Sequence, residues 1–412
     1  MKHFNFIILS FLCLCSQIFG ARAVNGKLIS DTSGIKIIKV WGTHAERGYA
    51  QGYLLAHNIK DIYLGYMYPF MGISLEAIKK HVTYEKVIKM DKIFHVEAEQ
   101  MVEGMRDAGV VIDNFDADDI LLANAFLDLM GLTSFKELRA LRENMGCSSL
   151  ITWVKNKSEA RTIVTRQLDW PVNDHVVNNQ VIVIHCPAEL NEQKWLMIGF
   201  AGQISVLSGI NSKGISVFLH MLNDYKEEFI PMPQKPYEPL GFTLRKAIEY
   251  KDYNRDGHYN INDVKAAIAE NTQGYAEGFI VSVAGPAKHK TGETAFIAEL
   301  APTKPYITFR DESYEDNIKG NSIYTANNSV KRLDKKNYGF RYRETAQALK
   351  RTRKITPAAI WRIMKKYSVL PNNIQMMQYI PEENILKLSV YKNNTPAFKQ
   401  KPNSINLKYL FI

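Results

Sequence analysis

Downstream of residue 147 the chain falls into short β-branched or apolar runs, at 148–154, 162–165, 181–186, 195–199, 204–208 and 215–220. Turn residues such as Asn211-Ser212-Lys213-Gly214 separate them. Runs of this length are too short for most globular helices and read as a meander of antiparallel strands. Strand-like runs return at 279–283, 294–300, 322–325, 375–379, 385–391 and 407–411, and helical spacing at 341–351 and 357–366. Upstream, 24–146 reads as mainly helical after one early strand at 35–41. Gly42-Thr43 ends that strand, and Thr43 with Glu46 three residues on forms a capping box for the next helix. Gly48 and Gly52 inside that helix cost helix stability, which predicts close packing there. Asp116-Ala117-Asp118-Asp119 places acids at the positive end of another helix. Helices and strands in blocks imply an α+β fold rather than a parallel βαβ series.

Residues 1–23 read as an export leader. Lys2 and His3 precede a mostly apolar stretch, and Ala21-Arg22-Ala23 supplies small residues for a cut. No later stretch is apolar for long enough to span a bilayer, so the expectation is an exported protein without a membrane anchor. Cys13 and Cys15 would leave with the leader. Cys147 and Cys186 remain, too few for a disulfide scaffold. The formal charge of +10 is scattered along the chain, without a basic run or a nucleic-acid motif. It reads as solvated surface that would tolerate peripheral contact with an anionic membrane, and nucleic acid is not an expected partner.

Met145-Gly146-Cys147-Ser148-Ser149-Leu150 sits where the composition changes. If the bond before Cys147 is cut, one residue carries a thiol and a free α-amine, a nucleophile with its own base. Three further stretches accompany it. They are Arg166-Gln167-Leu168-Asp169-Trp170, Gly209-Ile210-Asn211-Ser212-Lys213-Gly214-Ile215, and the upstream run from Gly42 to Tyr53. A serine elbow is not in competition, because Gly202-Gln203-Ile204-Ser205-Val206 lacks the second glycine.

Together these stretches resemble the cysteine N-terminal-nucleophile hydrolases, which include choloylglycine hydrolase, acid ceramidase and the penicillin acyltransferase group. The upstream run is most similar to the penicillin acyltransferase branch and the phospholipase B-like proteins. The resemblance implies an αββα sandwich of two packed antiparallel sheets with helices outside. It also implies self-cleavage into a small subunit (24–146) and a large one (147–412) that stay associated. By position, Cys147 is the nucleophile, Arg166 its neighbour and Asp169 the holder of the α-amine. The later asparagine is Asn327, with Asn328 the alternative; the last arginine is Arg341, with Arg343 the alternative. The implied activity is hydrolysis of the linear amide of an N-acyl or lipid-like small molecule, with no catalytic cofactor. An acyltransferase and a lipid ester hydrolase use the same nucleophile. Arg166 would lower the thiol pKa, and Asn327 with the Met221 N–H would hold the oxyanion. Two positions depart from the pattern: Gln167 stands where asparagine is usual, and Met221 where choloylglycine hydrolases place an oxyanion-hole asparagine.

A second motif is independent of the first. Residues 252–263, within a helix pair at 243–270, follow an EF-hand loop. Asp252, Asn254, Asp256, Asn260 and Asp263 occupy the oxygen positions, Gly257 the turn, and His258 the carbonyl position. Aspartate replaces the usual bidentate glutamate at the last position. The expectation is a structural Ca2+. A calcium-binding module on an inactive hydrolase fold is the non-enzymatic alternative.

Overall fold

The structure is a computed structural model that describes residues 22–70, 79, 88–132, 145–155, 159–223, 236–287, 293–314, 318, 320–333 and 338–412. Residues 1–21 of the expected leader lie outside the described residues, as do 71–78, 80–87 and 133–144 of the stretch read as helical.

Fifteen strands among the described residues form two sheets. The larger sheet runs β1 (Gly26–Thr32), β2 (Ile35–Gly42), β5 (Gln180–Pro187), β6 (Trp195–Phe200), β7 (Ser208–Asn211), β8 (Ser216–Met221), β9 (Phe279–Ala284), β10 (Ala295–Leu300), β11 (Ile307–Asp311). The smaller runs β12 (Ser322–Thr325), β3 (Gly146–Lys155), β4 (Ala160–Asp169), β13 (Asn373–Ile380), β14 (Ile385–Val390), β15 (Asn403–Asn406). All neighbours are antiparallel except β2 and β5, which pair in parallel. The N-terminal region thus supplies two strands rather than one, and they complete the edge of the large sheet.

Strand alternation sorts side chains into three cores. On β5, Val181 and Val183 join one cluster while Ile182 and Ile184 join another. On β6, Trp195 and Met197 part from Leu196 and Ile198 in the same way. The second cluster also holds Ile151, Val164, Met377 and Leu388 of the small sheet, so the two sheets share a core. The outer face of the small sheet, at Leu150, Ile163 and Met376, packs on α8 (Gly339–Arg351) and α9 (Pro357–Tyr367). The outer face of the large sheet packs on α1 (His44–Ile62), α2 (Lys92–Asp107), α3 (Ala117–Asn124), α4 (Phe126–Leu132), the short α5 (Asp174–Val177), α6 (Leu240–Glu249) and α7 (Ile261–Ala269). Two buried faces per strand explain the unbroken apolar runs Val181–Ile184 of β5 and Trp195–Ile198 of β6.

The expected capping box of Thr43 with Glu46 is present at α1, and the acids expected at the start of α3 form a second one, Asp116 with Asp119. The glycines of α1 let α2 approach: a Cβ on Gly48 would fall on the Glu97 carbonyl, and one on Gly52 on the Met101 carbonyl.

Two strand expectations fail. Residues 204–207 are irregular, because Asn124 Oδ1 accepts the N–H groups of Ile204 and Ser205 at 2.7 and 2.9 Å, and pairing starts only at Ser208. The last strand is 403–406, not 407–411; Asn406 then caps a short helix, α10 (Leu407–Leu410).

Candidate active site

The β3–β4 hairpin register brings the first motif together. Gly146 pairs with Asp169, Cys147 with Leu168 and Ser149 with Arg166. Alternation then puts Cys147, Ser149 and Arg166 on the face turned to the large sheet. Arg166 Nη2 lies 3.8 Å from the Cys147 sulfur and donates to the Leu219 carbonyl at 3.0 Å. Its Nε and Nη1 are buried and have no hydrogen-bond partner among the described residues.

On the other flank of β3, β12 pairs Thr325 with Ser149. Two residues later Asn327 reaches the nucleophile. Its Oδ1 accepts the Cys147 backbone N–H at 3.0 Å, and its Nδ2 donates to the Met221 carbonyl at 2.8 Å. Met221 therefore meets Asn327 through its carbonyl, whereas the sequence pointed to its N–H as an oxyanion donor beside Asn327. Arg341, in the first turn of α8, donates to the Cys147 carbonyl at 3.2 Å and to Asn327 Oδ1 at 2.5 Å. Of the alternatives, Asn328 packs beside Gly339 and Arg343 is exposed.

Asp169 is fully buried. Its Oδ1 accepts from Asn373 Nδ2 at 2.9 Å, while Oδ2 has no hydrogen-bond donor and lies 3.6 Å from Arg341. A Cβ built on Gly146 would sit 3.3 Å from that free oxygen, so the carboxylate faces the start of β3. Burial pushes the Asp169 carboxyl up to about 7, against the pull of Arg341 and Asn373. Burial likewise pushes the Cys147 thiol up to about 11; Arg166 pulls it down, but not far enough. The expectation of a thiol lowered by Arg166 thus fails for the continuous chain, because desolvation outweighs one cation.

The departure at Gln167 has a structural reason. Gln167 points to the opposite face of β4, where it accepts from Ser148 Oγ at 3.0 Å and donates to the Met364 carbonyl at 3.0 Å. Sequence reasoning missed Asn373 and Leu219, whose roles come only from strand register.

A cleft of about 90 Å³, lined by Tyr63, Tyr66, Phe126, Trp170, Phe200 and Leu219 among others, lies beside this cluster. Trp170 follows Asp169 directly, and the Leu219 carbonyl is the one that Arg166 holds. Cys147, Trp170, Tyr66, Phe126 and Leu219 belong to one apolar cluster.

Residues 252–263 join α6 to α7 as a compact loop with Gly257 at φ +80°. Asp252 Oδ1 and Asn254 Oδ1 both accept the Asp256 N–H, so these two oxygens converge. Asp256 Oδ1 accepts the His258 N–H. Asp263 is committed otherwise: it accepts the N–H groups of Tyr253, Asn254 and Asn260, and with Asn260 it forms the capping box of α7. The oxygens of Asp252 and Asn254 gather on the backbone N–H groups of Asp256 and Gly257, and the last carboxylate likewise holds backbone. One group of three protein ligands, His44, Glu189 and Glu192, also comes together among the described residues. Arg47 Nη2 lies 3.0 Å from Glu192 and 3.5 Å from Glu189, a cation already in place.

No family model matches the chain. The curated protein dcd1B of Dictyostelium discoideum is 23% identical over 256 residues, covering 57% of this chain and 47% of that protein. The chain thus spans about half the length of the curated relative it matches. Among solved structures, an N-acylethanolamine-hydrolyzing acid amidase ortholog of Caenorhabditis elegans matches 63% of this chain and 100% of its own, with 15% identity and a TM-score of 0.41. A mutant of conjugated bile acid hydrolase from Clostridium perfringens matches 63% of this chain and 93% of its own, with 12% identity and a TM-score of 0.35.

Proposed function

We propose that the chain is an exported cysteine N-terminal-nucleophile hydrolase with an αββα body, which cuts itself before Cys147 and then hydrolyses the linear amide of an N-acyl small molecule. The observation that carries this reading is the buried Asp169 Oδ2, which faces Gly146 without a hydrogen-bond donor and with only the Arg341 ion pair at 3.6 Å, while Asn327 and Arg341 grip the Cys147 N–H and carbonyl. A buried carboxylate oxygen left without a donor is costly. An α-ammonium released at Cys147 would supply that donor. The sheet pair with one shared core and a helical layer on each outer face supports the αββα body.

In the first step the Cys147 sulfur attacks the Gly146 carbonyl carbon and the peptide nitrogen leaves as the Cys147 amine, giving a thioester. Water hydrolyses it to a Gly146 carboxylate and a free thiol. In each later turnover the amine takes the thiol proton and the thiolate attacks the substrate carbonyl. The oxyanion is held by N–H donors of Asn327 and its surroundings. The leaving amine takes the proton back, and water then releases the acid from the acyl-thioester. The new ammonium, together with Arg166, would offset the burial that holds the thiol high. The aromatic cleft next to Trp170 suits an apolar acyl group. The same cleft suits an acyl ester or transfer to an amine acceptor, which product analysis with added amines separates.

We further assign a structural Ca2+ to the 252–263 loop, supported by the converging oxygens of Asp252 and Asn254.

Intact-mass measurement of the purified protein tests the central reading. Two fragments are expected, the larger beginning Cys-Ser-Ser-Leu, and Cys147→Ala is expected to stay whole. A wild-type chain that remains single after long incubation removes the mechanism.

A further inference from the structure

Far from the thiol, six charged side chains lie in one buried network between the large sheet and the helices outside it. His44 and Arg47 come from α1, Glu97 from α2, Glu192 from the β5–β6 connection, and Arg245 and Glu249 from α6. Arg47, Glu97, Arg245 and Glu249 are completely buried, and His44 and Glu192 are each 6% exposed. Arg245 donates to Glu97 at 2.5 and 3.0 Å and to Glu249 at 3.0 Å. Arg47 donates to Glu192 at 3.0 Å and to Glu249. His44 bridges Glu192 at 2.9 Å and Glu97 at 3.1 Å. Trp195 Nε1 adds a donor to Glu249 at 2.9 Å. Burial works against the His44 imidazolium, but Glu192 and Glu97 outweigh it and raise its pKa to about 9. These six side chains are three cations and three carboxylates, and a fourth carboxylate, the less buried Glu189 of the later half, stands at the rim 3.5 Å from Arg47.

The division of these charges along the chain matters. His44, Arg47 and Glu97 precede residue 147 and leave one positive charge in excess; Glu192, Arg245 and Glu249 follow it and leave one negative charge in excess. All the pairs of Arg47, and those of Arg245 with Glu97 and His44 with Glu192, cross that point in the chain. Neither half can neutralise its own buried charge. A buried charge without its partner is strongly destabilising, whereas salt screens such pairs little.

We propose that this network is the polar lock by which the segment before Cys147, already joined to the large sheet by the β2–β5 pairing, is held as a separate subunit on the rest of the chain, each half being the obligate charge partner of the other. The proposal rests on the reading that the chain is cut before Cys147, since only then do the halves need a bond other than the chain itself. The metal alternative at His44, Glu189 and Glu192 is not needed, because Arg47 already balances those carboxylates.

The test cuts the chain independently of Cys147. A specific protease sequence is inserted between residues 140 and 141 of full-length Cys147→Ala protein, and the folded protein is cut and passed over a sizing column. The two pieces should coelute at low salt and in 1 M NaCl, and part only in denaturant. Arg47→Met should keep the uncut chain folded, judged by its melting transition, yet let the cut pieces separate at a clearly lower denaturant concentration than the parent, the β2–β5 pairing and the shared core alone holding them. If Arg47→Met does not fold, Glu192→Gln at the rim of the network takes its place, with a smaller drop expected. Wild-type pieces that part in native buffer, or variant pieces that hold together as firmly as wild type, overturn the proposal. Because no self-cleavage or activity is read out, its failure leaves the hydrolase reading standing, and failure of self-cleavage leaves this result standing.

Discussion

Asn327 Oδ1 accepts the backbone N–H of Cys147 at 3.0 Å across 180 residues of sequence. The same oxygen accepts from Arg341, and the amide nitrogen is held by the Met221 carbonyl. One side chain thus ties the nucleophile to both sheets and to α8. Replacing Asn327 with alanine should lower kcat by about 10²–10³, the range for loss of one oxyanion donor. Asn328→Ala, outside this cluster, should change kcat by less than about threefold, since surface substitutions away from such features cost little. Steady-state kinetics on an acyl amide checks both.

Asp169 gives a pH dependence whose sign is fixed by burial. Its folded pKa of about 7 lies above the ordinary carboxylate value, so the stability it contributes is complete below about pH 4. That contribution is lost as pH rises through 7. In uncut Cys147→Ala protein, Asp169→Asn removes the titrating group. The variant should gain on its parent as pH rises from 4 to 8, by at most about 4 kcal/mol, three pKa units' worth. Denaturant midpoints at the two pH values measure it, and equal differences at both would contradict the assignment.

At Gly48 and Gly52 two effects oppose. Alanine gains about 1 kcal/mol in helix propensity. An added Cβ, however, meets the carbonyl backbone of α2, and overpacking against backbone costs about 1–3 kcal/mol or more. Packing should win, so Gly48→Ala and Gly52→Ala should each lower the denaturant midpoint. Gly109, with nothing within 4 Å of a Cβ but φ at +77°, should lose only a modest amount on the same change.

The calcium assignment predicts saturable binding to metal-free protein by calorimetry and a rise in melting temperature with added Ca2+. At one hundred times the dissociation constant the gain should be about 2.7 kcal/mol. Asp252→Ala should abolish both effects. Because Asp263 holds three backbone N–H groups, Asp263→Ala should also destabilise the protein without calcium.

What the sequence made legible was local. The apolar runs of β5, β6 and β8 and the capping box at Thr43 and Glu46 rest on short-range patterns that packing preserves. The edge strands β1 and β11 escaped because they are largely half-exposed or exposed and carry polar residues, as edges do. Residues 204–207 misled because a distant side chain, Asn124, takes the hydrogen bonds a strand would use. The buried charge network left no sequence signal: His44, Glu97, Glu192 and Glu249 have neither the spacing nor the neighbours of a motif. Thiol activation was misread for a related reason, since a cation is visible in sequence and the depth of burial is not.

The last prediction concerns how Asn327 is itself held. Glu299 on β10 is fully buried and accepts the N–H groups of Val330, Lys331 and Arg332 at 2.8, 3.0 and 2.7 Å. It also pairs with Arg310 Nε at 3.3 Å, and Arg310 donates to the Tyr324 carbonyl at 2.9 Å. The segment carrying Asn327 is thus fixed on both sides, at 324 and at 330–332, by one buried ion pair. Glu299→Ala would leave Arg310 without this carboxylate and should cost about 3–5 kcal/mol. Glu299→Gln keeps an acceptor of the same shape and should fold. Its loosened hold on Asn327 should lower kcat while KM stays near wild type, because the cleft beside Trp170 is untouched. Loss of stability alone, with kcat intact, would show that Glu299 braces the sheet without positioning Asn327.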